Sequence, residues 1–220
     1  MISVVVPTLI SNDIQLQTTN ECIQAAKSKT DLDFELVIVE TLTSYFGHIA
    51  DTYIHESKKT TATKSINRGF YCASGDKVVL LTNDVIVSDG WLEALLECFQ
   101  ITDCGMSTLA ADQFGHMRQN KIDEGIWFSV AMLPKEEAWF DEAYKPGSWD
   151  DSDLIMRNYL QGRRMYRNFK SVAHHKIGMT HYEKPDHKAN FDWNKEYFCE
   201  KYKDYSESRI FKILVGGIIV

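Results

Sequence analysis

The sequence lacks the marks of a disulfide scaffold, a membrane span and a nucleic-acid binder. Its five cysteines, Cys22, Cys72, Cys98, Cys104 and Cys199, are odd in number and form no C-x-x-C pair. That usage argues against a disulfide framework or a cysteine zinc site and predicts a reduced, cytoplasmic setting. No apolar run approaches the ~20 residues of a spanning helix. The N-terminus has neither the basic segment nor the long apolar region of a signal peptide. Positive charge is in deficit: 24 Lys and Arg against 31 Asp and Glu give a net charge of -7. Nucleic acid is therefore not expected as the main partner, although a nucleotide needs only a local site.

What remains suits one α/β domain. At 220 residues, with 44% hydrophobic and 25% charged content, the chain can bury a sizeable core. Val78-Val79-Leu80-Leu81-Thr82 is short, uncharged and bounded by turn residues, the pattern of a strand buried on both faces. It ends abruptly in Asn83-Asp84. Ligands of open α/β sheets sit beyond the carboxyl ends of parallel strands, so Asp84 stands where a divalent cation would be held beside a diphosphate. Its plainer reading is a turn residue closing a strand. Ser88 then reads as the N-cap of a helix from Trp91 to about Gln100, with Asp89 in the first turn.

Other strands are expected at Ile2–Val6, Phe34–Glu40, Thr52–His55, Cys104–Ala110, Gly125–Leu133, Arg163–Phe169 and Ser171–Ala173. Helices are expected at Ile14–Ala26, Ala62–Ala73, from Asp150 to about Leu160 with Gly162 as its stop, and within Asn190–Tyr202. Asp112–Asp123 reads as a polar loop with Gly115. The apolar Phe211–Val220 is too short to span a bilayer and reads as a docked strand.

Several stretches between Met1 and Thr180 resemble family 2 glycosyltransferases with the GT-A fold. Val4-Val5-Val6-Pro7-Thr8 resembles the first strand, and Phe34–Glu40 the strand that ends in an acid. Asn67, Gly69, Ala73 and Gly75 match an N-x-G-x-x-x-A-x-G element. Thr82-Asn83-Asp84 with Gly90-Trp91 stands for the acidic signature, in which Thr82 replaces the first acid of the strict D-x-D form. Trp149–Arg157, led by Phe140-Asp141-Glu142-Ala143-Tyr144, matches W-[E/D]-D-x-D-L-x-x-R, and His175, Gly178 and Thr180 match H-x-x-G-x-[S/T].

The resemblance implies a GT-A-type domain over 1–180, with a mostly parallel, Rossmann-like central sheet flanked by helices. A C-terminal helix and apolar tail, 181–220, would pack on it. It implies transfer of a sugar, with inversion, from a UDP- or GDP-sugar to a hydroxyl of a saccharide or other acceptor. Mn2+ or Mg2+ would lie at Asp84 and His175, with His174 the second choice of imidazole. Pro7, Thr8, Glu40, Asn67, Arg68 and Asn83 would contact the nucleotide, Glu40 at the base or ribose and Arg68 or Lys64 at the diphosphate. Trp127, Phe128 and Trp149 would line the sugar and acceptor pocket. Asp151 would be the general base, with Asp150 its nearest rival and Asp153 structural. A non-catalytic nucleotide-sugar binder is the alternative suggested by the single acid in Thr82-Asn83-Asp84. A nucleotidyltransferase is disfavoured by the absence of a Gly-rich basic loop after the first strand.

Overall fold

The computed structural model describes residues 1–112, 119–125, 128–146, 148–176 and 186–216. Strands β1 (Ile2–Leu9), β2 (Glu35–Thr41), β3 (Thr52–Glu56) and β4 (Lys77–Leu81) alternate with helices α1 (Asp13–Ser28) and α2 (Ala62–Cys72). Then follow β5 (Val85–Val87), α3 (Trp91–Cys98), β6 (Cys104–Ala111), β7 (Ile122–Glu124), β8 (Val130–Pro134), α4 (Asp150–Leu160), β9 (Arg164–His175), α5 (His187–Lys201) and α6 (Arg209–Gly216). The sheet order is β3-β2-β1-β4-β8-β6-β9-β5, with β7 also paired to β9. The half formed by the first four strands is all parallel. Beyond β4 the sheet is mixed, because β8, β5 and β7 run against their neighbours.

Strand periodicity sends successive side chains to opposite faces, and both faces are covered. Val5, Val37, Val39, Val78 and Leu80 face one side, where they meet Ile66 and Phe70 of α2, Leu154 to Met156 of α4, and Phe198, Phe211 and Leu214 of α5 and α6. Val4, Val6, Leu36, Ile38, Val79 and Leu81 face the other, against Cys22, Ile23 and Ala26 of α1 and Trp91, Leu92 and Leu95 of α3. This explains the unbroken apolar runs of the central strands. Each fully buried Val or Leu contributes about 1.5–3 kcal/mol.

Gly69 shows why α2 needs a small residue. A Cβ there would lie 2.4 Å from Cγ1 of Val5 and 3.0 Å from Cγ2 of Val39, so the glycine lets α2 settle onto β1 and β2. Both valines are fully buried and have nowhere to move. Gly69→Ala is expected to destabilise the fold by about 1–3 kcal/mol through overpacking. A shifted urea midpoint with an unchanged slope would show this, and a midpoint equal to that of the parent protein would contradict it.

Three local expectations are corrected. Ser88 is not the N-cap of α3. That position is Gly90, at φ 70°, while the Ser88 hydroxyl accepts the Val172 N–H at 2.8 Å and pins β5 to β9. The two short strands expected between Arg163 and Ala173 are one twelve-residue strand, interrupted where Leu109–Asn168 pairing jumps to Ala110–Val172. The apolar tail is helical rather than a strand as far as Gly216, with Ile210, Phe211 and Leu214 buried. Residues 217–220 lie outside the described set, as do Gly115, Trp127, Gly178 and Thr180. Among the described residues no helix is long and apolar enough to cross a membrane.

Candidate active site

Strand direction decides which residues meet. β1, β2 and β4 are parallel, β8 reverses against both β4 and β6, and β9 runs with β6. The carboxyl ends of β1, β2, β4, β6 and β9 therefore share one edge of the sheet. That edge carries Thr8, Glu40, the Thr82–Asp84 turn, Asp112, and the His174–His175 pair.

The turn after β4 is closed by the Val85 N–H donating to the Thr82 carbonyl at 3.1 Å. β5 then pairs antiparallel with β9, Val85 opposite His175, and the Lys176 N–H donates to the Asp84 carbonyl at 2.9 Å. This register sets His175 Nε2 3.3 Å from Asp84 Oδ2. Asp84 is 8% exposed. Burial opposes its ionisation, but the hydrogen bond and charge of His175, together with the Thr82 hydroxyl, hold its carboxyl below the usual range. The neighbouring His174 turns the other way and shares its Nδ1 with Asp112 Oδ2 at 2.8 Å. Below the turn, Asn83 donates to the Thr19 hydroxyl at 2.8 Å, and the buried Cys22 thiol, its pKa pushed up by burial and by Asp84, donates to the Thr82 carbonyl at 3.5 Å.

The other residues expected around a nucleotide divide into open and committed groups. Thr8 is 3% exposed and its hydroxyl has no hydrogen-bond partner, although it stands next to last in β1 at the site edge. Glu40 is fully buried and receives four donors: the Thr43 hydroxyl, the Tyr45 and Phe46 N–H groups, and the Tyr53 hydroxyl, at 2.7 to 3.1 Å. Its carboxylate shapes the turn after β2, whose Leu42 is held at φ 69°. Asn67 bonds both the N–H and the carbonyl of Phe140, so it fastens α2 to the segment leading into α4. Arg68 pairs with the buried Glu56 at 2.7 Å. Pro7 lies within β1 opposite Val39.

The acidic run opens α4 after a strained approach. Ser148 and Trp149 take φ values of 110° and 75°, a conformation that costs non-glycine residues of order 1–3 kcal/mol each. Trp149 is 6% exposed and packs its ring on Phe191 and Phe198. It belongs to the core around α5, and Phe128 packs against the same core. Asp150 and Asp151 are half-buried neighbours. Burial, then the charge of Asp151, pushes Asp150 up to about 7. Asp151 is raised too, by burial, but the Ser152 N–H donating to it at 2.8 Å counters the rise. The two acids therefore titrate as a pair, in which burial favours the protonated form of both and Asp150 holds its proton more readily than Asp151. Asp153 is fully buried and fully bonded, to Tyr144, Arg157, Lys201 and Tyr202.

The model of the family described as "Glycosyl transferase family 2" matches residues 3–139, more than half of the chain. The chain belongs to glycosyl transferase family 2. Solved structures share its fold at low identity. TarS residues 1–349 of S. aureus align at a TM-score of 0.64 with 14% identity, over 96% of this chain and 74% of that one. The mannosyltransferase PcManGT of Pyrobaculum calidifontis, in complex with GDP-Man and Mn2+, aligns at 0.70 with 15% identity, over 98% and 68%. GalNAc-T7 with UDP, GalNAc and Mn2+ aligns at 0.71 with 9% identity, over 96% of this chain but 49% of its own length. No curated protein matches the chain.

In this glycosyltransferase the strand-end reasoning extends to one acid that the sequence reading left in a loop. Asp112 follows the end of β6 on the same edge as Asp84, holding the His174 ring and, at 3.3 Å, the His175 N–H. An acid immediately after a buried strand was the available signal. It was obscured because the polar stretch that begins at Asp112 reads as one loop.

Proposed function

We propose that this glycosyltransferase moves a sugar from a UDP- or GDP-sugar to a hydroxyl of a saccharide or similar acceptor, with inversion and with the help of Mn2+ or Mg2+. The observation that carries the reading is the Asp84–His175 pair, 3.3 Å apart on the edge where β1, β2 and β4 also end. An ionised carboxylate and an imidazole suit a divalent cation whose remaining ligands are diphosphate oxygens. Among the described residues no cluster of three or more His, Cys, Asp or Glu side chains gathers, so the protein would supply only part of the coordination. When bound, the cation stabilises the departing diphosphate as a Lewis acid. The bound ligands of the P. calidifontis and GalNAc-T7 structures, a GDP- or UDP-nucleotide with Mn2+, support a donor of this class.

The chain's own groups then have distinct tasks. Asp84 and His175 hold the cation. Thr8 offers its unpartnered hydroxyl toward the nucleotide, and Glu40 fixes the turn that borders it. Asp151, ionised beside a more readily protonated Asp150, takes the acceptor hydroxyl proton as the sugar bond forms. A single displacement served by one base inverts the anomeric carbon. Five unpaired cysteines favour a reducing, cytoplasmic setting.

The test is a panel of UDP- and GDP-sugars with saccharide acceptors, with and without Mn2+, read by nucleoside diphosphate release and by NMR of the product. Acceptor-dependent release and an inverted anomeric centre are expected. A product with retained configuration would sink the single-displacement mechanism, and nucleotide binding without transfer for every pair would return the chain to a binding role.

A further inference from the structure

Helix α5, like α4, lies outside the family-matched stretch, and it grips the buried acid three residues beyond Asp150. Lys201 Nζ lies 2.6 Å from Asp153 Oδ1 and 2.7 Å from Asp141 Oδ2, and it is ringed by Tyr144, Tyr197 and Tyr202 at 5.5 to 5.8 Å. The Tyr202 hydroxyl donates to the same Asp153 oxygen at 2.8 Å, and the Tyr144 hydroxyl reaches it at 3.3 Å. On the other carboxylate oxygen sits Arg157 Nε at 2.9 Å, whose guanidinium also donates to the Trp139 carbonyl. α5 further bonds the strained approach to α4, through Asn194 to the Lys145 and Ser148 carbonyls.

We propose that Lys201 is a positioning residue for the Asp150–Asp151 pair: by neutralising Asp153 it fixes the first turn of α4 and sets the electrostatic background in which the pair works. The proposal rests on reading that pair as the seat of the base. The charged and titratable groups of the cluster are Asp141 and Tyr144 before α4, Asp150, Asp151, Asp153 and Arg157 on it, and Tyr197, Lys201 and Tyr202 on α5. Lys195 of α5 also lies over the Trp149 ring. Two structural acids, Asp141 and Asp153, face two bases, Arg157 and Lys201, so beneath the reactive pair the charge is balanced. Burial works against the charge of Lys201, but the two carboxylates outweigh it and keep the amine protonated. Burial, then the charge of Asp153, keeps both Tyr144 and Tyr202 as neutral donors.

The balance fixes the sign of each substitution. Lys201→Met leaves one negative charge uncompensated beneath Asp150 and Asp151. Their protons are then lost at higher pH, and the acid limb of the transfer profile should move up by about one pH unit. Asp141→Asn removes the competing acid from Lys201 and should move that limb down. Lys201→Arg keeps the charge and should keep the limb in place. A helix that only props up the fold would lower activity evenly across pH and leave the limb unmoved.

The experiment is kcat against pH for the full chain and these variants, each first shown to be folded by its circular dichroism spectrum, with Asp151→Asn as a reference. Opposite shifts for Lys201→Met and Asp141→Asn support the proposal. An unmoved limb in folded Lys201→Met overturns it. Should that variant fail to fold, an unmoved limb in Asp141→Asn does so instead. Normal transfer by Asp151→Asn and by Asp150→Asn would overturn the base reading itself, whatever Lys201 does.

Discussion

Asp151→Asn is expected to lower sugar transfer about 10²–10⁴-fold, the range for loss of a general base, while nucleotide affinity stays unchanged. Asp150→Asn should behave differently. Asp150 is pushed up to about 7 by burial and by the charge of Asp151, so near neutral pH it carries a proton much of the time. Asn in its place stands in for that neutral acid, so Asp151 ionises much as before. Transfer should then survive, with its acid limb little moved. The sign follows from the base having to be ionised: burial holds Asp151 above the usual carboxylate range, so in the parent protein transfer should fall as pH drops through that raised value. Initial rates from pH 5 to 9 with saturating donor check both points. Loss of transfer in Asp150→Asn with near-normal transfer in Asp151→Asn would exchange the two roles. Indifference to both would leave the cluster as a helix opening that suits the dipole of α4.

The second large effect lies at the other acid. Asp84→Ala is expected to lower kcat/KM about 10²–10³-fold, the cost of losing one preorganised electrostatic contact to developing charge. This corresponds to about 2.7–4 kcal/mol of transition-state stabilisation. Chelation with EDTA should match it, and the two losses should not add, because both remove the same cation. Ionisation of Asp84 is already held in place by His175, so His175→Ala should weaken the response to Mn2+ without abolishing the fold. Nucleoside diphosphate affinity that is identical with EDTA and with Mn2+, and untouched by Asp84→Ala, would remove the cation from this site.

Much of the architecture was legible because it follows from one-dimensional pattern. The apolar runs of β1, β2 and β4 and the helical spacing of Ile66 and Phe70 each name a buried face. Gly69 was legible as part of a family element, but its contact was not: it lets α2 settle against Val5 and Val39. The mostly parallel sheet that was expected is parallel from β3 through β4 and mixed beyond it, where the direction of β8 depends on the path the chain takes back to it and not on its own composition. At the site, Asp84 and His175 were readable as strand ends, but their proximity is set by β5, a three-residue strand too short to show a period. Glu40, Asn67 and Arg68 were expected at the nucleotide. The structure gives each a protein partner that one-dimensional pattern does not name: Glu40 bonds the turn just after it, Arg68 bonds Glu56, and Asn67 bonds Phe140, 73 residues away. Trp149 was placed in a sugar pocket by its neighbours in sequence, and it is buried by α5, nearly fifty residues away. The ion cluster around Asp153 was invisible for the same reason: Lys201 is 48 residues distant.

The most direct test of the account is the position of Mn2+ in crystals grown with a nucleoside diphosphate, read from anomalous scattering at the manganese edge. The account predicts a single peak about 2.0–2.5 Å from both Asp84 Oδ2 and His175 Nε2, sharing the diphosphate oxygens. A diphosphate bound at this edge with no cation, or a cation coordinated away from both side chains, would contradict it.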